Sequence, residues 1–303
     1  MLKSWNNTQN KKAIIDFVER VTTEGSKDFV VPSERIAVFD NDGTLWTEYP
    51  LLIEGSFALD RLMEMAEKDP SLKNSATLKP FIEKDIKAIQ ALGMKGIVEI
   101  VMKTHEAANQ EDFGSMVSKW FETAVLSRYN NPVTKCIYQP QVELLDYLRA
   151  NGFKTFIVTG GGIEFVRAIA EQIYGIPREQ VIGSNNKMEF EIKERNVQLK
   201  RINELRSFDD REEKVVNISL HIGRRPIFAF GNSDGDLRMM QYTLAGKNPA
   251  IALLLHHDDE EREKAYDSDF KISPLKEALE VAEDWNIHVV SMKNDWKKVF
   301  SFA

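Results

Sequence analysis

Two aspartates one residue apart, Asp40 and Asp42, end a short apolar run in the stretch Val38-Phe39-Asp40-Asn41-Asp42-Gly43-Thr44. Positions one and three of a chain leaving a strand return to the same side. One carboxylate of such a pair can attack an electrophile while the other handles the proton of the leaving group. Two further apolar runs end in polar turns. FKTFIVTGGG (153–162) closes on Thr159, Gly160, Gly161 and Gly162, a hydroxyl beside unobstructed backbone N–H groups at the start of a helix, which suits an anion. RPIFAFGNSDGD (225–236) closes on Asn232, Asp234 and Asp236.

So many acids in one place require a cation. A calcium loop with a closing glutamate does not fit. Counted from Asp40, the fifth, sixth and twelfth positions are Thr44, Leu45 and Leu51; counted from Asn232, the sixth and twelfth are Leu237 and Thr243. A few hard oxygen ligands beside an anion site suit Mg²⁺, which keeps several waters and takes one or two carboxylates plus a substrate phosphate.

The elements that position these residues follow from the pattern. Ile36 to Phe39 is a continuous apolar run, as in a central strand buried on both faces. The other two runs follow helical stretches, QVELLDYLRANG (141–152) and EEKVVNISLHIG (212–223), each ending in glycine. AIALLLHHDD (250–259) and NIHVVSM (286–292) read as further strands, and KKAIIDFVERVT (11–22) as a leading helix with Ile14, Phe17, Val18 and Val21 on one face. Strands alternating with helices predict an α/β protein with a Rossmann-like, three-layer parallel sheet. Ligands then bind outside the C-terminal strand ends, which gathers Asp40, Asp42, Thr159 to Gly162 and Asn232 to Asp236 around one crevice.

Residues 46–138 have another texture. Phe113, Met116, Val117, Trp120, Phe121, Ala124 and Val125 trace a helical stripe, and two earlier segments are helical in period. An all-helical cap over 46–138 is therefore expected, inserted after the first strand of a core formed by 1–45 and 139–303. MEFEIKERNVQLKRI (188–202) alternates like a β-hairpin or flap.

The four strand-end and helix features together resemble the haloacid dehalogenase (HAD) superfamily. Phe39-Asp40-Asn41-Asp42-Gly43-Thr44 is similar to its first motif, Val158-Thr159-Gly160 to its second, Lys214 to its third, and Gly231-Asn232-Ser233-Asp234-Gly235-Asp236 to its fourth. The resemblance implies that Asp40 is the nucleophile, forming an aspartyl-phosphate, and that Asp42 is the general acid/base. It implies phosphoryl binding by Asp42, Gly43, Thr44, Thr159, Gly160, Gly161 and Lys214, with Lys214 offsetting charge. Mg²⁺ is then held by Asp40, Asp42, Asn232, Asp234 and Asp236, although Asn232 stands where the motif usually has an aspartate. Dehalogenases of the superfamily lack an acid at the position of Asp42, so a phosphatase or phosphomutase is implied. The cap position and the hairpin before Lys214 resemble the phosphoserine-phosphatase-like branch.

The expected activity is Mg²⁺-dependent hydrolysis of a small phosphorylated metabolite through an aspartyl-phosphate on Asp40. A phosphotransferase or phosphomutase, or a non-catalytic phospholigand-binding protein, are the alternatives. Trp46, Glu48, Tyr49, Glu54 and Trp120 could cage an ammonium group, although packing suits the aromatics better. His256, His257, Asp258 and Asp259 read as a solvated loop opening a charged helix, and Cys136 has no activating base nearby. A net charge of -7 without a basic face excludes a nucleic-acid groove. No apolar segment reaches the roughly 18 residues of a membrane span. With one cysteine, a reducing, cytoplasmic setting is the default expectation, and export is open if a leader was removed.

Overall fold

The computed structural model describes residues 1–75, 77–105 and 109–302; positions 76 and 106–108 of the expected insertion, and 303, lie outside the described residues. Its strands are β1 (Ile36–Phe39), β2 (Val125–Leu126), β3 (Asn131–Pro132), β4 (Lys154–Gly162), β5 (Val181–Lys193), β6 (Asn196–Ser207), β7 (Phe228–Gly231), β8 (Ile251–His256) and β9 (His288–Ser291). Seven of them form one sheet in the order β6-β5-β4-β1-β7-β8-β9, while β2 and β3 pair separately. Within the sheet only the β5–β6 pair is antiparallel.

The apolar runs form the middle of this sheet because both faces are covered. Ala37 and Phe39 point into one core cluster with Phe17, Ile157 and Phe228. Ile36 and Val38, the alternate residues, join Val158, Ile218 and Ala229 on the other face. Parallel register aligns the ends of the central strands: Phe39 lies opposite Ile157 and Phe230. Asp40, Thr159 and Asn232 therefore emerge at one edge of the sheet. The leading helix, Gln9–Thr22, buries Ile14, Phe17, Val18 and Val21 as its spacing predicts.

Between β1 and β4 the chain is mostly helical, with longer helices at Ile53–Lys68, Ile86–Thr104 and Gln110–Thr123. The second of these breaks at Gly93, whose φ of 61° is left-handed. The stripe Phe113, Val117 and Phe121 is buried against Phe57, Trp46 and Phe165, and so packs on the sheet's own core cluster. Ala124 and Val125 lie beyond the helix, and Val125 is exposed. A separate cluster joins Leu62, Phe81, Ile89 and Ile97 to Tyr266, Phe270 and Ile272 from the segment after β8.

That segment corrects one expectation. Residues 257–266 form turns rather than a charged helix, and His257, Asp259 and Glu263 are buried. The charges are internally bonded: Glu263 accepts from Thr47 and Tyr129, while the Arg262 guanidinium pairs with Asp259 and donates to the Trp296 and Met292 carbonyls. The hairpin is also longer than its alternation indicates, because β5 begins as a core strand paired with β4 and then continues paired with β6. Among the described residues no helix is long and apolar enough to cross a membrane.

Candidate active site

Lys214 ties three strand ends together. From the first turn of helix Glu212–Ile222 its Nζ donates to Asp40 Oδ1 at 2.7 Å, to Asp236 Oδ1 at 2.6 Å and to the Val158 carbonyl at 2.9 Å. The ammonium is 2% exposed. Burial alone would discharge it, but Asp236 and Asp40 more than reverse this and hold it charged. Asp40 moves up from the usual carboxylate range, through burial and the adjacent Asp236, against the pull of Lys214.

The turn after β1 fixes Asp42. The Asn41 carbonyl accepts the amides of Thr44 and Leu45, and Gly43 takes φ +72°. Trp46 Nε1 donates to Asp42 Oδ1 at 2.8 Å, and burial pushes the Asp42 carboxyl up to about 6. A carboxyl in that range can give and take a proton near neutrality.

Asn232 faces the same turn: Thr44 Oγ1 donates to its Oδ1 and its Nδ2 donates to Glu48 Oε1, each at 2.8 Å. The other two acids of the expected metal set are engaged elsewhere. Asp236 accepts Lys214 on Oδ1, and on Oδ2 the amides of Asn232 and Ser233 with the Ser233 hydroxyl. Asp234 Oδ1 accepts the amides of Lys276 and Ala278 and anchors that loop. These bonds tie both acids into the frame around Asn232.

Thr159 is fully buried, and its Oγ1 accepts the Gly161 amide. The glycine run also departs from expectation: Gly160 to Gly162 continue β4 through a bulge, and Gly162 N donates to Glu54 Oε2 at 2.7 Å. The helix that follows is only Ile163–Arg167.

A cavity of about 290 Å³ opens on these groups, lined by Asp40, Asp42, Glu48, Thr159, Gly160 to Gly162 and Lys214. Its outer wall comes from the helical layer and the hairpin, including Glu54, Met94, Ile97, Val101, His105, Phe113, Met188, Arg201 and Leu205. The aromatic cage does not form. Trp46 is fully buried in the core, Tyr49 stacks on Tyr266, and Trp120 donates to Asp60 and packs edge-on against Phe57; none lines the cavity. Glu48 and Glu54 do line it. Cys136 is buried and its thiol is pushed up to about 12 by burial, in keeping with an inert role.

His105 and Arg201, which sequence reasoning missed, complete the outer end. Among the described residues, Glu54 Oε1, His105 Nε2 and Arg201 Nε are buried without a hydrogen-bond partner, although Glu54 Oε1 lies 3.5 Å from His105 Nδ1. Burial and the nearby guanidiniums push His105 down to about 3, so it is neutral. Arg201 lies 4.2 Å over the Phe113 ring. No local pattern marks either residue as functional, because each reaches the cavity only through tertiary packing.

Burial pushes Glu54 up to about 7 from 4.5. A carboxyl group raised by folding adds stability below its unfolded value and loses it as pH rises through the folded one. The Glu54 contribution is therefore lost between about pH 4.5 and 7. Glu54→Gln keeps an acceptor for Gly162 and removes the ionisation. It is expected to be more stable than the parent by about 3 kcal/mol at pH 8 and equal to it at pH 4. Chemical denaturation at both pH values checks this; a gap that does not change with pH contradicts it.

The residues suit a hard divalent cation. The candidate oxygen donors are those of Asp40, Asp42 and Asn232, each of which already accepts one hydrogen bond, from Lys214, Trp46 and Thr44 respectively. Asp40 and Asp236 are buried against the ammonium of Lys214, Glu48 is buried and lines the same cavity, and Asp42 is half-buried. Among the described residues no three His, Cys, Asp or Glu side chains converge as a ready metal cluster.

A family model of the haloacid dehalogenase-like hydrolases matches residues 37–241, a span that contains the strand ends, Lys214 and Asp236. The chain belongs to this family. Within the span shared with the haloacid dehalogenase-like hydrolases, Asp40, Thr159 and Asn232 lie at one sheet edge, and Lys214 reaches it from a helix. No curated protein matches the chain. Among solved structures, a conserved functionally unknown protein from Anaerococcus prevotii is similar at 16% identity and TM-score 0.53, over 88% of this chain and 93% of that one. A protein with unknown function from Bordetella pertussis is similar at 15% identity and TM-score 0.52, over 85% and 98%. A phosphoserine phosphohydrolase-like protein from Francisella tularensis shares 19% identity at TM-score 0.41, over 75% and 89%. At these identities the first two show a likeness of fold alone.

Proposed function

We propose that this haloacid dehalogenase-like hydrolase is a Mg²⁺-dependent phosphomonoesterase that hydrolyses a small phosphorylated metabolite through an aspartyl-phosphate on Asp40. The observation that carries the reading is the Lys214 ammonium, which bridges Asp40, Asp236 and the Val158 carbonyl below a cavity that Asp42 also lines. Lys214 holds one oxygen of Asp40, so the other is the one positioned to attack phosphorus. As the phosphorus–ester oxygen bond breaks, Asp42 delivers its proton to the leaving oxygen. Asp42 then takes a proton from water, which attacks the phosphorus and releases phosphate and Asp40. Thr159 and the backbone after it orient the phosphoryl oxygens, and Lys214 balances their charge. Mg²⁺, held by Asp40, Asp42 and Asn232 with water, would neutralise charge on the transferred group.

Residues 46–138, with the hairpin, act as a cap on the core formed by 1–45 and 139–303, excluding bulk water and admitting only a small substrate. The leaving group faces Glu54, His105 and Arg201, whose unpartnered atoms await donors and acceptors.

A panel of phosphorylated amino acids, sugars, amino alcohols and nucleotides assayed with Mg²⁺ tests the reading. Phosphate release from at least one class is expected, together with trapping of Asp40 by beryllofluoride. Transfer to an acceptor hydroxyl instead of water points to a phosphotransferase. No turnover and no trapping leaves a phospholigand-binding protein.

A further inference from the structure

We propose that Glu48 supplies, through Asn232, the negative charge that the cation site lacks at position 232, acting as a positioning residue rather than a ligand. The inference rests on the phosphatase reading in taking Asp40, Asp42 and Asn232 as the cation's donors.

Asn232 is held by both ends. Its Nδ2 donates to Glu48 Oε1 at 2.8 Å, while its Oδ1 accepts Thr44 Oγ1 at 2.8 Å and keeps a second lone pair. The Tyr266 hydroxyl donates to the same Glu48 oxygen at 2.7 Å, which fixes the carboxylate from the far side. Glu48 is 1% exposed and lines the cavity with Asp40 and Asp42; burial and these two acids raise its carboxyl well above the usual range, against the pull of the Tyr266 hydrogen bond, so its charge is one that a cation beside Asn232 must stabilise. Lys214 pairs with Asp40 and Asp236, not with Glu48. Gly43 allows the pair to close on the turn that carries Asp42: a Cβ there would lie 2.2 Å from Asn232 Nδ2 and 2.4 Å from Glu48 Oε1.

A carboxylate that accepts from a carboxamide N–H pushes electron density onto the amide oxygen and fixes which way that oxygen faces. It makes Asn232 Oδ1 a stronger donor to a cation and places a formal charge one residue further out. Such outer partners typically change metal affinity by about 10- to 100-fold.

Isothermal titration of Mg²⁺ and of Mn²⁺ into the full-length, substrate-free protein tests this. Glu48→Gln keeps an acceptor for Asn232 and Tyr266 and removes only the charge, and its dissociation constant is expected to rise about tenfold or more. The exchange Glu48→Gln with Asn232→Asp places acid and amide on opposite sides of the same hydrogen bond. It conserves net charge, is expected to fold even where the single variant does not, and binds at least as tightly as the parent. Equal affinity of the parent and Glu48→Gln overturns the proposal, as does an exchanged pair that binds more weakly than the parent. A parent that binds neither ion overturns the cation reading as well, so the two failures are distinguishable.

Discussion

Asp40→Asn is expected to lower phosphate release by at least about three orders of magnitude, the scale of loss when an attacking group is removed from a machine whose parts act as a unit. The carboxamide retains an oxygen to accept from Lys214 in place of Asp40 Oδ1, so the frame persists while nucleophilicity is lost. Stability moves the other way from activity. Burial and Asp236 already penalise an ionised Asp40, and Lys214 keeps Asp236 as its partner in the variant. Folding is therefore at least as favourable as in the parent at neutral pH, and thermal unfolding shows no loss. Turnover and melting measured on one preparation separate chemistry from collapse. Retained wild-type turnover removes Asp40 from the reaction, and a large fall in melting temperature assigns it to the frame instead.

The strand ends were legible because the signals that place them are local. A continuous apolar run such as Ile36 to Phe39 can be buried on both faces only in a covered sheet, and the residue after it must then emerge at the sheet edge. The order of Asp40, Thr159, Lys214 and Asn232 supplied the rest, and the structure joins them through bonds that span the chain. What the sequence could not show is how the acids after Asn232 are held: in Asn232-Ser233-Asp234-Gly235-Asp236 each carboxylate accepts from backbone donors, in a capping box and in the loop at Lys276. Composition cannot reveal such donors.

Burial of charge was equally hidden. His257 contacts the Gly43 carbonyl through Nε2 at 2.7 Å, a partner far back in the sequence, and Glu263 is enclosed by Thr47, Tyr129 and Tyr138. A run such as Asp258-Asp259-Glu260-Glu261-Arg262-Glu263 reads as solvated wherever its partners lie in other segments. Arg201 and His105 share that difficulty, since one is placed by a hairpin and the other by the end of a helix.

Lys214→Met is expected to have the largest effect on folding. The substitution strands Asp40 and Asp236 in the interior and leaves the Val158 carbonyl without its donor. Breaking a buried ion pair from one side typically costs about 3–5 kcal/mol, because the abandoned charge can neither reach water nor find another cation. Turnover falls with it, since the ammonium that contacts Asp40 is gone. The loss carries a pH signature. Carboxyl groups held above their unfolded values contribute stability at low pH and lose it as pH rises. Without Lys214 the upward displacement of Asp40 grows, so the gap to the parent is widest near neutrality and narrows as the acids protonate. Adding Asp40→Asn to Lys214→Met removes one stranded charge and is expected to recover part of the lost stability, a non-additive result for residues in contact. Urea unfolding of the single and double variants at neutral and acidic pH measures each term. Equal midpoints for Lys214→Met and the parent at pH 7 would show that the ammonium does not hold the three strand ends together.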